Sequence, residues 1–202
     1  MIRKALAIIA LVMIASLSVA GCTQNSSTSS PTPTPTITSK ATVIGNNTTF
    51  SSSTGFNITY PKTLKTDSNN SSDTKIMIYL ATNNTTDSVS LLTEPVNPNT
   101  TSLDYATYYI GLINNNPDYQ LVSNQSTTLG GKPAYTIVWQ ATLPVQPDPS
   151  SSTTQNTTLK VMQTYVVNNN TGYIVTYKAL PSDYNTYLAQ AQPIMNSFKL
   201  TS

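Results

Sequence analysis

The chain contains one cysteine, Cys22, so no disulfide can form within it. Whatever domain follows must be held together by its apolar core alone. The stretch able to supply that core is roughly 160 residues long, enough for one core but hardly two.

Cys22 closes an apolar leader. Arg3 and Lys4 form a basic head, and Ala5 to Ala20 is an apolar run broken only by Ser16 and Ser18. That run is short for a spanning helix, and head, core and small-residue exit together describe an export signal. Its last four residues, Val19-Ala20-Gly21-Cys22, look like a lipobox, where prokaryotic lipoproteins are lipidated on the cysteine thiol and cut just before it. The small side chains of Ala20 and Gly21 suit a peptidase groove, and Cys22 is the expected lipidation site. The alternative is an uncleaved signal anchor with an incidental cysteine. Residues 1–21 are thus read as a lipoprotein signal peptide. The mature chain is expected on the extracytoplasmic face of the cell membrane, held there by lipid.

Loss of the leader changes the charge. The whole chain has ten Lys and Arg against eight Asp and Glu; without Arg3 and Lys4, eight lysines face eight acids. Nucleic acid is excluded as a partner, because neutralising a phosphate ladder needs clustered Lys and Arg. A polybasic membrane patch is excluded on the same ground. Residues 22–41 are mainly Ser, Thr, Gln, Asn and Pro around Pro31-Thr-Pro-Thr-Pro-Thr36. Such a stretch has little to bury and reads as a tether, reaching about 25 Å as a coil or about 60 Å if extended.

From residue 42 to 202 the pattern is that of one α+β domain. Phe50–Phe56 reads as a short strand and a turn, and Phe56–Tyr60 as a strand stopped by Pro61. Lys75–Ala81 is apolar on both alternations, which predicts a central strand covered on both faces. Asn83–Asp87 is a turn and Ser88–Val96 the returning strand. Thr101-Ser-Leu-Asp104 resembles a capping box, and Leu103, Ala106, Ile110 and Ile113 follow at helical spacing, predicting a helix of about 12 residues. Tyr119–Ser126 returns as a strand, Leu129-Gly-Gly-Lys-Pro133 is a tight connection, and Ala134–Leu143 is a long strand with Tyr135, Ile137, Trp139 and Ala141 on one face. Pro144–Asn156 reads as a polar loop. Thr158–Val167 and Tyr173–Leu180 form a hairpin turned at Asn168–Gly172. A last helix is capped by Ser182 and buries Tyr184, Tyr187, Leu188, Ala191, Ile194, Met195 and Phe198, with a kink or a fresh turn expected at Pro193. One antiparallel sheet carrying both helices is the expected architecture.

Several of these pieces occur in a familiar order. Gly55-Phe-x-Ile-x-Tyr-Pro61 precedes the hairpin and capped helix. Leu129-Gly-Gly-Lys-Pro-Ala-Tyr135, Gln163-Thr-Tyr165, Tyr173-Ile-Val-Thr-Tyr177 and Asn196-Ser-Phe-Lys199 follow. Over residues 48–200 this resembles the PsbP-like proteins, and the resemblance implies an antiparallel sheet sandwiched between helices, an α/β/α sandwich. Chloroplast members support the oxygen-evolving side of photosystem II and help it retain calcium and chloride. A distant relative of the fold binds a small GTPase. The matching positions are turn and core residues, so they imply fold rather than activity.

Chemistry is sparse. With no histidine there is no Ser-His-Asp or Cys-His arrangement and no imidazole metal site. The acids are scattered, and only Asp67 with Asp73, or Asp183 with a folded-in partner, suggest a pair. No EF-hand-like loop appears, leaving room only for a weak calcium site from loop carbonyls. Gly130-Gly131 lacks the Lys-Ser/Thr of a phosphate loop. No cofactor is expected, nor an enzyme, since the residue types that usually act near neutral pH are missing. Tyr105, Tyr108, Tyr109, Tyr184 and Tyr187 allow two readings: an aromatic surface for sugar or peptide, or core residues with hydroxyls at the rim. Trp139 reads as core.

Twelve Asn-x-Ser/Thr sequons occur. Asn46, Asn47, Asn69, Asn70, Asn83, Asn84, Asn99, Asn124, Asn156 and Asn169 are candidate N-glycosylation sites. Asn25 and Asn57 complete the set, Asn57 being the least suited because it lies inside a strand. The alternative is that Asn- and Thr-rich turns generate the motif as a by-product. The functional expectation is a lipid-anchored, non-catalytic module contacting an envelope protein; a small-ligand or glycan binder is the alternative.

Overall fold

A computed structural model describes residues 46–68, 73–81, 86–145 and 155–201. The expected signal, Cys22, the tether, and the sequons at Asn25, Asn69, Asn70, Asn83 and Asn84 lie outside the described residues, as does most of the expected 144–156 loop.

The elements are β1 (Asn47–Ser52), β2 (Phe56–Pro61), β3 (Thr66–Ser68), β4 (Thr74–Tyr79), β5 (Ser88–Pro95), α1 (Ser102–Asn114), β6 (Tyr119–Leu129), β7 (Lys132–Val145), β8 (Gln155–Asn168), β9 (Thr171–Ala179), α2 (Tyr184–Asn196) and β10 (Lys199–Leu200). They form two sheets rather than the single one expected: a seven-stranded sheet in the order β3-β4-β5-β9-β8-β7-β6, and a three-stranded sheet in the order β1-β2-β10. Every pairing is antiparallel.

The helices cover opposite faces of the large sheet. Tyr165 of β8 lies opposite Ile174 of β9 and meets the Tyr105 ring of α1 at 5.4 Å. Tyr177, of opposite parity on β9, meets the Tyr184 ring of α2 at 4.9 Å. Because side chains alternate along a strand, these two contacts lie on different faces. The α2 face holds the larger core, in which Phe56, Ile58, Val89, Val175, Tyr177 and Ala191 are fully buried.

The small sheet is fastened to that core by the end of α2. Ser197 Oγ accepts the Thr59 N–H at 2.8 Å, and Phe198 stacks on Phe56 with ring centroids 5.8 Å apart. Gly130, at φ 58°, lies against the same ring, so that an added Cβ would stand 3.0 Å from Phe198. Three of the pieces that form the resemblance, around Phe56, Gly130 and Ser197-Phe198, therefore meet at one point in the core.

Several expectations need correction. β4 is second from one end of the sheet, not central; Ile76 and Ile78 are buried, whereas Met77 and Tyr79 are only partly so. The buried stripe of α1 is Tyr105, Ala106, Tyr109 and Ile113, while Leu103 is 53% exposed. The long strands β7 and β8 run into the expected loop, pairing Pro144 with Asn156 and Val145 with Gln155. The hairpin turn is narrower than expected: Asn169 and Asn170 sit at φ 49° and 58°, and Thr171 and Gly172 already pair within the ladder. That is a two-residue turn whose left-handed backbone suits asparagine. Asp183, not Ser182, precedes α2, with no side-chain cap, and the helix continues through Pro193 to Asn196. The α1 capping box is present: Thr101 Oγ1 accepts from Asp104 N–H at 3.1 Å and Asp104 Oδ2 accepts from Thr101 N–H at 3.0 Å.

Candidate functional site

The densest polar cluster lies beneath α1. Four-residue spacing puts Tyr105 and Tyr109 on the helix face turned to the sheet, and Glu94 reaches them from the end of β5. Both phenol hydroxyls donate to the same carboxylate oxygen, Tyr105 to Glu94 Oε1 at 2.6 Å and Tyr109 at 2.8 Å. The rings pack edge-on at 5.5 Å, and Tyr165, fully buried, closes the cluster at 5.0 Å from Tyr109. Beneath them Gln163 Oε1 accepts from Tyr165 Oη at 2.7 Å and from Trp139 Nε1 at 2.8 Å. Ser102, at the start of the helix, donates to the Pro133 carbonyl at 2.8 Å and accepts the Val167 N–H at 3.0 Å. Burial is the chief cause that raises the Tyr105, Tyr109 and Tyr165 hydroxyls well above the usual phenol range, and the Glu94 charge adds to it.

The Tyr105 and Tyr109 hydroxyls face inward, on a partner 11 and 15 residues earlier in the chain. The tyrosines therefore join helix to sheet, and of the expected aromatic surface on α1 only Tyr108 remains substantially exposed, at 46%. Tyr184 on α2 is buried too, with Lys160 Nζ 4.3 Å from its ring centroid, and burial pushes its hydroxyl up to about 12. Replacing Glu94 by alanine strands two buried donors and is expected to cost about 3 kcal/mol. Glu94→Gln keeps an acceptor and should lose roughly 1 kcal/mol. Urea denaturation of the two variants measures the difference; equal losses would show that the hydroxyls do not depend on the acceptor.

Four of the scattered acids, Asp67, Asp87, Glu94 and Asp104, accept hydrogen bonds within the fold. Asp67 accepts from the Tyr79 hydroxyl at 2.7 Å, a bond that is the main reason the phenol is pushed up to about 12. Asp73, its suggested partner, is exposed. The electrostatic neighbour of Asp183 is Asp87, which is buried and accepts the Leu180 N–H at 3.2 Å. Desolvation raises the Asp87 carboxyl above its ordinary range, with Asp183 adding to the rise. Desolvation likewise lowers the nearby Lys178 amine. Hydrogen bonds from the Thr101 side chain and backbone hold Asp104 below the usual carboxylate range. Among the described residues no three Asp, Glu, Cys or His side chains are grouped as a metal site.

A cleft of about 420 Å³ opens between the β1–β2 and β8–β9 turns, lined by hydroxyls and amides including Ser52, Thr54, Asn168, Asn169 and Thr171. Of the described sequons, Asn99 and Asn169 are exposed on turns at φ 69° and 49°. Asn46 and Asn47 are exposed at the start of β1, and Asn156 is exposed in β8 rather than in a loop. Asn124 is exposed on β6, where its Oδ1 accepts from the Tyr135 hydroxyl at 2.7 Å. Asn57 lies in β2, paired on both sides.

A large antiparallel sheet with one helix on each face, the second helix followed by a Ser-Phe-Lys segment fastened to a small sheet, defines a PsbP-like α+β fold. Solved structures of other proteins share it. The solution structure of cyanobacterial PsbP (CyanoP) from Synechocystis is 12% identical, with a TM-score of 0.53 over 81% of this chain and 98% of that one. The crystal structure of LpqN, involved in cell envelope biogenesis of Mycobacterium tuberculosis, is 14% identical, with a TM-score of 0.52 over 78% of this chain and 91% of that one. No model of a known protein family matches the sequence, and no curated protein does.

Proposed function

We propose that this protein is a lipid-anchored extracytoplasmic module that works by contact with an envelope protein and catalyses no reaction. The observation that carries this reading is how the fold uses its acids: Glu94, Asp67, Asp87 and Asp104 each accept hydrogen bonds from the chain itself. Such acids serve to join elements or, for Asp104, to cap one. The likeness of fold to LpqN, a protein of envelope biogenesis, is consistent with a place outside the cytoplasm. So is the Val19-Ala20-Gly21-Cys22 leader ahead of a proline-rich tether. Tethering confines the domain near membrane-bound targets and raises its effective concentration, so that a weak surface contact suffices.

The anchor is tested by Cys22→Ser. The variant should leave the membrane fraction or persist as the uncut precursor, read by fractionation and immunoblotting. A mature, cut variant that stays with the membrane would show that lipid on Cys22 is not the anchor. The contact itself is tested by crosslinking on intact cells, where an envelope protein should be captured and the capture should survive chelation.

The hydroxyl- and amide-lined cleft favours a second reading, a binder of a small neutral ligand such as a sugar. Saturable shifts of Thr54 and Asn169 amide resonances on adding a sugar would favour it over the contact module.

A further inference from the structure

The two ends of the large sheet are built differently. At one end β3 is three residues long and contains Asp67, with Lys65 just ahead of it. At the other, β6 is eleven residues long, Tyr-Gln-Leu-Val-Ser-Asn-Gln-Ser-Thr-Thr-Leu, with no charge and no proline. Natural edge strands are kept from pairing by short length, charge, proline or a bulge. β3 has the first two. β6 has only a bulge at Val122, which leaves the run 123–129 regular.

The register fixes which backbone groups of that run face outward. Gly130 and Gly131, at φ 58° and 77°, make a two-residue turn, so Leu129 and Lys132 exchange both hydrogen bonds. Counting back by twos, Thr127, Gln125 and Ser123 also bond to β7. Asn124, Ser126 and Thr128 present their N–H and C=O groups to the open side. Among the described residues no strand pairs there, and all three side chains are exposed.

We propose that β6 is a dimerisation edge, where a second copy of this chain lays its own β6 antiparallel about a two-fold axis through Ser126. Three features favour a second copy over another extended segment. First, a strand paired with itself sets each charge near its own copy, and β6 carries none. Second, the axis through Ser126 is self-complementary. Asn124 then faces the partner's Thr128, Gln125 the partner's Thr127, and Ser126 the partner's Ser126, all small or flexible hydrogen-bonding pairs. The outward groups on both sides match in phase and form about six backbone hydrogen bonds. Third, the chain already joins strands this way: Thr136 with Thr164 at 2.8 Å, Thr142 with Thr158 at 2.9 Å and Thr49 with Thr59 at 2.9 Å. The pairing joins two seven-stranded sheets into one and leaves only the blunt β3 ends open.

The test uses the full chain in isolated membranes, produced without glycosylation because Ser126 belongs to the Asn124 sequon. Across the axis the two residues at position 126 form a hydrogen-bonded pair with Cα atoms about 5.5 Å apart, within disulfide reach. Under a mild oxidant Ser126→Cys should convert most of the chain to a covalent dimer, whereas wild type, with only Cys22, and Asp73→Cys should not. Asn124→Cys alone should crosslink poorly, but mixed with Thr128→Cys it should crosslink well. Ser126→Lys in detergent should halve the molar mass seen by light scattering while circular dichroism stays native. A wild-type chain that is monomeric at tens of micromolar would overturn the proposal, as would Ser126→Cys crosslinking no better than Asp73→Cys. Capture of a different protein's strand at β6 by a monomeric chain would overturn it as well.

Discussion

Raising the pH above 10 should unfold this protein cooperatively, with the transition complete by about pH 13. An exposed phenol in the unfolded chain ionises near 10, whereas burial holds the Tyr105, Tyr109 and Tyr165 hydroxyls protonated well beyond that. The folded state therefore binds more protons than the unfolded state above pH 10, and stability falls as pH rises. Below pH 10 both states keep these protons, and the groups contribute no pH dependence. Each retained proton is worth about 1.4 kcal/mol per pH unit, so the three together remove about 4 kcal/mol per unit. An ordinary domain stability of about 5–15 kcal/mol is consumed within a few units. The absorbance step of the buried phenols and the far-ultraviolet circular dichroism should change together. Phenolate appearing fully near pH 10 with the fold intact would mean that these hydroxyls are not buried, Tyr105 and Tyr109 on Glu94 and Tyr165 on Gln163.

Gly172→Ala should cost about 3 kcal/mol, a large loss for one methyl group. Gly172 lies opposite Glu94 on the neighbouring strand, and the Tyr105 ring lies directly over it. A Cβ there would stand 2.6 Å from Tyr105 Cζ and 2.8 Å from its hydroxyl oxygen. The ring cannot simply swing away, because Tyr109 and Tyr165 both meet it edge-on and its hydroxyl is bound to Glu94. In a Tyr105→Leu background the same substitution should cost less than about 1 kcal/mol, since the obstructing atoms are gone. Equal costs in both backgrounds, measured by chemical denaturation, would show that Gly172 is needed for some reason other than this slot.

What was legible in the sequence was local. Thr101 with Asp104, Gly130 with Gly131, and the Asn-rich hairpin turn each fix backbone geometry within a few residues, and the structure has a cap or turn at each. The buried tyrosines of α1 were harder to read. Leu103 and Ile110 are apolar at the spacing of an inner stripe, but Tyr105 and Tyr109 occupy it because Glu94 supplies an acceptor. Nothing near residue 105 indicates that Glu94 will be there; a glycine at 172 directly across the ladder is the only trace, and it is 67 positions away. The small sheet was hidden for the same reason. Lys199 and Leu200 pair with Asn57 and Phe56, and no local pattern links the two segments. The sequence pattern ends β6 at Ser126 rather than Leu129, because a polar Ser-Thr-Thr run is as typical of a loop as of an exposed edge. Asp67, of one suggested pair, and Asp87, the electrostatic neighbour of Asp183, have hydrogen-bond partners that spacing alone does not reveal, the Tyr79 hydroxyl and the Leu180 amide.

The most direct test of the anchored-module account is the mass of the N-terminal peptide of the mature protein recovered from membranes. The expected peptide begins at Cys22, with no residue of 1–21, and carries a diacylglycerol thioether on its sulfur. A peptide that begins at Met1, or one that begins at Cys22 with an unmodified thiol, would contradict it.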